Sequence, residues 1–206
     1  MSSTDDGVSL GAEQRQTLLR VAAGSIRAGL TDGRPLAPST LACPADLRAE
    51  RASFVTLTIG GQLRGCIGVL QAIRSLVVDV AVNAFAAAFE DPRFPPLAAA
   101  EYPHLEIHIS VLSAPEALSF SSEADLLHQL RPMTDGLVLE DDGYRGTFLP
   151  SVWASLPEPR EFLRHLKHKA GLPGDYWSNS LRVSRYTTES FGASMTELDA
   201  ETLAGA

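Results

Sequence analysis

Apolar residues recur at helical spacing in several stretches of the chain, and each stretch predicts a helix. The three longest predicted helices cover residues 11–30, 75–90 and 159–170. The middle one is apolar around most of its circumference, so we expect other parts of the fold to cover it on most sides. A shorter amphipathic helix is predicted over residues 121–131.

Strand signals lie between these helices. Residues 53–59 are nearly all β-branched or bulky, and Gly60-Gly61 predicts a two-residue hairpin turn into a second strand over residues 62–70. Further strands are predicted at residues 104–112, 136–140, 144–149 and 181–186. Strands that pair as hairpins between groups of helices predict an α+β fold, with an antiparallel sheet flanked by helices.

The hairpin turn also predicts which residues face each other across the first two strands. If pairing is regular from the turn onward, Leu57 lies opposite Arg64 and Val55 lies opposite Cys66. Opposed residues share one side of a sheet, so we expect Arg64 and Cys66 on the same side as Val55 and Leu57. A slip of one residue would move both to the other side.

Composition narrows the classes of function. The chain has 206 residues, 17 basic against 25 acidic side chains and a formal net charge of −8. A negative balance argues against broad binding of nucleic acids or acidic lipids. Cys43 and Cys66 occur without a Cys-x-x-Cys pair, and no segment predicts a signal peptide or a membrane span. We therefore expect a cytoplasmic protein with free thiols.

One predicted strand carries residues that ordinary strand rules do not explain. Gly65 and Gly68 interrupt it, and such glycines mark a bulge, a bend or a close approach of backbone or substrate. Arg64 lies two residues from Cys66, and a nearby positive charge can turn a thiol into a nucleophile. The alternative is that Cys66 fills space in the core while Arg64 pairs with an acid such as Glu106.

Residues 91–97 predict a stiff, extended loop, because three prolines in seven residues exclude a helix. The loop carries Asp91, Arg93 and Phe94, whose side chains suit the wall of a binding site. The alternative is an ordinary end to the preceding helix, with Asp91 and Arg93 paired in solvent.

The strand over residues 104–112 places His104, Glu106 and His108 on one side of the sheet. Two histidines and a carboxylate can ligate a metal, but residues four apart on a strand lie about 13 Å apart, too far for one ion. We therefore interpret these residues as a polar sheet face and predict no metal site. A base for the thiol is left open among His104, His108, His165 and His168.

Together, the glycine-containing strand, the proline-rich loop and the polar sheet face predict a site. The candidate catalytic residues are Cys66, Arg64 and Glu106. The candidate substrate-binding residues are Gly65, Gly68, Asp91, Arg93, Phe94 and His108. The sequence has no phosphate loop and no nucleotide-binding glycine fingerprint, so it leaves the cofactor open.

Four motifs together resemble one protein family. They are LRGCIG at residues 63–68, DPRFPPL at 91–97, LEIHISVL at 105–112 and KAGL at 169–172. They resemble the AMMECR-type domain family, whose bacterial and archaeal members are called AmmeMemoRadiSam system protein A. The resemblance implies an α+β fold, with a larger lobe around an antiparallel sheet and a smaller α/β lobe packed on it.

We place that domain at residues 11–192, and we expect flexible tails at residues 1–10 and 193–206. The resemblance also implies an association with a Memo-type protein, which looks like a metal-dependent dioxygenase, and with a radical-SAM protein. Because the family has no agreed biochemical activity, the resemblance implies none for this chain.

Three functions follow from these observations. The first is an enzyme, or the accessory subunit of one, with a pocket around Cys66 and Arg64. The second is a non-catalytic adaptor that docks the two implied partners. The third is a nucleic-acid-associated regulatory protein, against which the acidic charge balance counts.

Overall fold

The structure is a computed structural model that describes residues 9–39 and 43–198. In chain order its elements are α1 (Ala12–Asp32), α2 (Ala45–Arg48), β1 (Ser53–Ile59), β2 (Gln62–Gly68), α3 (Leu76–Phe89), β3 (Leu105–Leu112), β4 (Glu116–Ala117), α4 (Glu123–Gln129), β5 (Gly136–Asp141), β6 (Tyr144–Phe148), α5 (Pro159–Lys169), β7 (Arg182–Tyr186) and β8 (Thr188–Ser194). These helices and two four-stranded antiparallel sheets confirm the predicted α+β class.

The chain forms two compact units. The described residues up to Leu112, together with those from Glu189 onward, make unit 1, and Ser113–Thr188 make unit 2. Sheet 1 has the strand order β2-β1-β3-β8, and sheet 2 has the order β4-β7-β5-β6. Each unit contains a hydrophobic cluster of its own.

The core of unit 1 lies between one face of sheet 1 and the helices α1 and α3. Val55 and Leu57 of β1 point into this core and are fully buried. Ile109 and Ile107 of β3 lie opposite them and are also fully buried. The residues between them point to the other face, so the alternating pattern separates an apolar side of the sheet from a polar one.

The two long helices predicted in unit 1 are confirmed, with small shifts at their ends. α1 continues to Asp32 and stops where Gly33 adopts a φ angle of 67°, a left-handed conformation that glycine favours. α3 spans Leu76–Phe89, which lies within the predicted range.

A buried polar network ties α3 to the start of β1. Asp79 is fully buried, and its Oδ2 accepts hydrogen bonds from the backbone N–H and the hydroxyl of Ser53, at 2.9 and 2.6 Å. Asn83 donates to the same oxygen at 2.8 Å, and Arg74 donates to Oδ1 at 2.8 Å. The network satisfies polar groups that would otherwise be costly to bury.

Two elements of unit 1 were not predicted. The predicted elements leave a gap between the first helix and the strand at residue 53, yet Ala45–Arg48 in that gap forms the short helix α2, whose Leu47 is fully buried. The edge strand β8 was also missed, because its residues show no run of alternating apolar side chains.

The ordered core reaches past both predicted domain boundaries. Leu10 precedes the predicted start and is buried, and its backbone N–H bonds Glu189. β8 continues to Ser194, and the buried side chains of Met195 and Leu198 join the cluster of unit 1. Residues 1–8 and 199–206 of the predicted tails lie outside the described residues.

Unit 2 packs α4 and α5 with sheet 2 around a fully buried tryptophan. The ring of Trp153 stacks on Phe162 of α5 with centroids 3.7 Å apart, and its Nε1 donates to the carbonyl of Asp135 at 2.6 Å. The predicted hairpin is confirmed, and Asp142 and Gly143 turn between β5 and β6 with positive φ angles.

A search of the described residues for membrane-spanning helices finds none that is both long enough and apolar enough.

Candidate functional site

The pairing of β1 with β2 differs from the predicted register because β2 contains a bulge. Arg64 has no partner on β1, so the pairing shifts by one residue between Leu57 and Thr58. A bulge of this kind adds one residue to one strand and leaves that residue outside the ladder. The pairs around it are Thr58–Leu63, Leu57–Gly65 and Thr56–Cys66.

The bulge places Cys66 on the opposite face from the one predicted. The expected pairing of Val55 with Cys66 and of Leu57 with Arg64 is wrong, and so is the expected position of Cys66 beside Val55 and Leu57. Cys66 shares its face with Thr56, whose hydroxyl donates to the cysteine sulfur at 3.2 Å. The thiol therefore lies on the side of sheet 1 turned away from the core, and it is partly exposed.

Two loop residues hold the backbone of Cys66 at the free edge of β2. The buried carboxylate of Asp91 accepts the N–H of Cys66 at 2.9 Å, while the guanidinium of Arg93 donates to the carbonyl of Cys66 at 3.2 Å. Arg93 also donates to both carboxylate oxygens of Asp91, at 2.9 and 2.7 Å. The predicted alternative of an Asp91–Arg93 pair in solvent is thus only partly right: the pair exists, but its carboxylate is buried.

The electrostatics of this pair follow from its hydrogen bonds. The pKa of Asp91 lies far below its ordinary value, chiefly because Arg93 donates to it, with a further contribution from the N–H of Cys66. The pKa of Arg93 is raised mainly by Asp91, and a smaller contribution comes from the side chain of Cys66. Arg93 is therefore the cation beside the thiol.

Arg64, the predicted partner of the thiol, bonds a different residue. Its guanidinium donates to both carboxylate oxygens of Glu101, at 2.7 and 3.0 Å, and to the carbonyl of Pro95 at 3.0 Å. The pKa of Glu101 falls to about 2, chiefly through these bonds and then through the N–H of Ala98. Glu106, the acid expected to pair with Arg64, instead accepts from the hydroxyl of Thr58 at 3.2 Å.

The ring of Phe94 lies close to both guanidinium groups. The guanidinium carbon of Arg64 lies 5.9 Å from the centre of the Phe94 ring, and that of Arg93 lies 5.6 Å from it. Contacts of this length are in the range of cation–π attraction. The loop residues predicted for the site are therefore brought together with both arginines.

Both glycines of the motif have a packing role. A Cβ atom on Gly65 would lie 2.0 Å from the backbone oxygen of Ala87 in α3, and one on Gly68 would lie 2.3 Å from the ring of Phe54. The close approach of α3 to β2 accounts for Gly65, and the close approach of an aromatic ring accounts for Gly68. Their assignment to substrate binding stays a prediction.

The polar face of sheet 1 continues from Cys66 across the neighbouring strands. Thr56 pairs with His108 on β3, and Gly192 on β8 leaves room for that imidazole, because a Cβ there would lie 2.5 Å from Nδ1. Glu106 is on the same face, with its Oε2 4.0 Å from Nε2 of His108. The thiol of Cys66, the imidazole of His108 and the carboxylate of Glu106 thus lie on one face of sheet 1.

Comparison with known proteins identifies the family. The model of the AMMECR1 family matches residues 19–191. The chain belongs to the AMMECR1 family. Among relatives of this AMMECR1-family protein, one from Methanothermobacter thermautotrophicus is 36% identical over 187 residues, covering 88% of this chain and 95% of the relative.

Two further similarities extend over much of the chain. A protein from Thermotoga maritima is 36% identical over 151 residues, covering 72% of this chain and 82% of its own. The crystal structure of an uncharacterized protein from Pyrococcus horikoshii matches with a TM-score of 0.77 at 33% identity, covering 86% of this chain and 90% of that one. The fold of this AMMECR1-family protein is thus shared with a solved relative.

Only one of the four candidate histidines lies on the face that carries Cys66. His108 does so, whereas His104 ends a 3₁₀ turn just before β3, and His165 and His168 lie on α5 in unit 2. Among residues 9–39 and 43–198, no group of three or more His, Cys, Asp or Glu side chains is arranged to hold a metal ion.

Sequence reasoning missed two residues of the site in this AMMECR1-family protein. Thr56 contacts the thiol, and the strand pattern would have revealed it only if the bulge were known. Glu101 holds Arg64 from 37 residues away, just before a 3₁₀ turn, and no local spacing links the two.

Proposed function

We propose that this AMMECR1-family protein is an enzyme, or the accessory subunit of one, in which Cys66 carries a substrate group covalently. The observation that supports the proposal is the bulge at Arg64, because it turns the thiol away from the core and onto the polar face. A cysteine needed only for packing would gain nothing from that position.

The surroundings of Cys66 suit acyl transfer. In this reaction the thiolate sulfur attacks an electrophilic carbonyl carbon, a carbon–sulfur bond forms, and the leaving group departs with the electrons of its former bond to that carbon. Water or an amine then attacks the thioester carbon, the carbon–sulfur bond breaks with its electrons on the sulfur, and the proton lost by the water or amine returns to the sulfur. Arg93 is exposed over 54% of its side chain and is placed to attract a carboxylate or phosphate on the substrate.

His108 would act on the leaving group and not directly on the thiol. Its strand is separated from β2 by β1, so the two strand axes lie about 10 Å apart. A substrate lying across Thr56 would span that gap, with Glu106 available to orient the imidazole. In this role Glu106 is a positioning residue.

A panel of activated esters tests the proposal. The full chain is incubated with p-nitrophenyl acetate and with the p-nitrophenyl monoester of succinate, and the acylated residue is located by mass spectrometry after digestion. We expect acylation of Cys66 at least ten-fold faster than acylation of Cys43, with the anionic ester preferred. The preference should disappear in Arg93→Gln, and the adduct at this site should disappear in Cys66→Ser.

Equal acylation of both cysteines would contradict the proposal, and so would an adduct formed only after unfolding. Cys43 is a suitable internal control, because it is also a free, partly exposed thiol of unit 1. Two free thiols are also what a cytoplasmic protein would carry, and we propose that location.

A second proposal is an adaptor that docks Memo-type and radical-SAM partners without chemistry of its own. It is supported by two exposed apolar residues, Leu63 on β2 at 44% exposure and Ile73 after the end of β2 at 64%. Under this proposal Cys66→Ser leaves co-purification of the partners intact, whereas Leu63→Glu and Ile73→Glu abolish it. Arg93→Glu is a poorer probe, because it would also break the bonds to Asp91 and to the backbone of Cys66.

A further inference from the structure

A shallow trough runs along α1 in unit 1, and none of its lining residues belongs to α3. Its volume is about 610 Å³. The floor is formed by Val21, Gly24, Ala28 and Leu36, and the last of these is an exposed leucine. Nothing proposed for Cys66 uses this surface.

The dimensions of the trough fit a row of side chains. Its lining extends along α1 from Thr17 to Asp32, which is about 22 Å at the helical rise per residue. Spread over that length, the volume gives a cross-section of about 28 Å². A whole helix, about 10 Å in diameter, has a cross-section more than twice as large. The trough can therefore receive one face of a rod-shaped partner but cannot enclose it.

Two cations border the trough at a spacing of one heptad. Arg20 and Arg27 are exposed, and neither forms an ion pair with any residue in the described part of the chain. Other arginines of unit 1, such as Arg15 and Arg74, do pair with acids. In a chain with a net charge of −8, two unpaired guanidinium groups along one side of an apolar floor form a local reversal of charge.

We propose that this trough docks an amphipathic helix of another protein, with acidic residues seven positions apart. Residues seven apart on a helix rise about 10.5 Å and return to nearly the same side, so two such acids can face Arg20 and Arg27 at once. The apolar stripe beside those two acids covers Val21, Ala28 and Leu36. Asp32 at the end of the trough favours a basic residue on the partner at that end.

The lining favours such a helix over two other anionic ligands. A small anion would leave the apolar floor uncovered and could not contact both arginines across about 10 Å. A nucleic acid would be repelled by Asp32 and by the negative charge of the chain as a whole. Apolar area with flanking ion pairs is the arrangement by which helices choose partners in coiled coils.

Three versions of one 18-residue helical peptide test the proposal. All three peptides carry leucine on one face and differ only at two positions beside that face, seven residues apart. Both positions are glutamate in the first peptide, glutamine in the second and lysine in the third. Binding of each labelled peptide to the full chain is followed by fluorescence anisotropy. We expect saturable binding, with the highest affinity for the glutamate peptide, a lower affinity for the glutamine peptide and the lowest for the lysine peptide. The affinities of the glutamate and lysine peptides should differ at least ten-fold.

Charge reversal on the protein gives the decisive comparison. Arg20→Glu/Arg27→Glu should invert the order of the three peptides, whereas Arg160→Glu/Arg182→Glu changes the net charge equally on unit 2 and should leave the order unchanged. An order that survives Arg20→Glu/Arg27→Glu, or no saturable binding of the glutamate peptide, overturns the proposal. Citrate or a 20-base-pair DNA that displaces the peptide from the trough with higher affinity would assign the trough to another ligand and also overturn it.

Discussion

The carboxylate of Asp91 accepts the backbone N–H of Cys66, so the loop after α3 supplies an acceptor at the free edge of β2. Arg93 binds the carbonyl of the same residue. An edge strand with free N–H and C=O groups invites pairing with other chains, and side chains that occupy those groups prevent it. The aspartate and arginine of the loop thus fix the position of the thiol through its backbone and leave its side chain available.

Replacing Asp91 should destabilise unit 1. Asp91→Ala removes a buried carboxylate and leaves Arg93 and the N–H of Cys66 without their acceptor, which we expect to lower the free energy of unfolding by about 2–4 kcal/mol. Urea unfolding should be followed by circular dichroism, because both tryptophans, Trp153 and Trp177, lie in unit 2.

The matched control for this variant is the preceding residue. Glu90 is exposed, and Glu90→Gln should change the free energy of unfolding by less than about 0.5 kcal/mol. If the two variants were equally stable, the loop would not hold β2 in the way described.

Acid should weaken unit 1 partly through Glu101. Its pKa is about 2 in the folded protein against 4.5 for the free group, so the unfolded chain takes up a proton more readily. The stability that the ionised carboxylate contributes is present above pH 4.5 and is lost as the pH falls towards 2. After allowance for a side chain that is 32% exposed, we expect a contribution of about 1–2 kcal/mol.

Urea unfolding at several pH values between 7 and 2 measures this contribution. Glu101→Gln should be less stable than the parent at pH 7, and the difference should shrink as the pH falls through this window. A constant difference at every pH would mean that the pair with Arg64 does not lower the pKa of Glu101.

The glycine before Cys66 should not tolerate a side chain. A Cβ on Gly65 would overlap the backbone oxygen of Ala87, and backbone cannot move aside as a flexible side chain can. We expect Gly65→Ala to lower the free energy of unfolding by about 1–3 kcal/mol. Gly24→Ala on α1 is the control, because its Cβ would make only an ordinary contact with Leu36, and it should stabilise the helix by about 0.5–1 kcal/mol.

Thermal unfolding of the two glycine variants is followed by circular dichroism. The midpoint temperature of unfolding should fall in Gly65→Ala and rise in Gly24→Ala. Shifts of the same sign would show that α3 does not lie as close to β2 as the structure places it.

Local rules predicted the elements well because each element follows from its own residues. Alternation of polar and apolar residues predicts β3, and the Gly60-Gly61 pair predicts the turn between β1 and β2. The apolar stripe predicts α3. The α+β class followed from the order of these elements. β8 escaped prediction because its burial depends on neighbouring strands and not on its own pattern.

The geometry of the site depended on a feature that local rules do not contain. Regular alternation from the hairpin turn predicts the pairing of β1 with β2 correctly only as far as Leu63. At Arg64, β2 contains one extra residue, and the pairing shifts. The guanidinium of that residue reaches Glu101, which is remote in sequence. The residues brought together around Cys66 were therefore mostly foreseen, while their faces and partners were not.

The central claim is that the bulge presents Cys66 on the polar face of sheet 1, and alkylation of neighbouring positions on β2 tests it most directly. In a Cys43→Ser background, the rate of iodoacetamide labelling of Cys66 is compared with that of the introduced thiol in Cys66→Ser/Ile67→Cys. Ile67 pairs with Val55 and packs against the core of unit 1.

We expect Cys66 to be labelled at least about ten times faster than position 67 in the folded protein, and both to be labelled at similar rates in urea. Faster labelling at position 67 than at Cys66 in the folded protein would contradict the account, because it would mean that β2 pairs without the bulge and that the thiol faces the core.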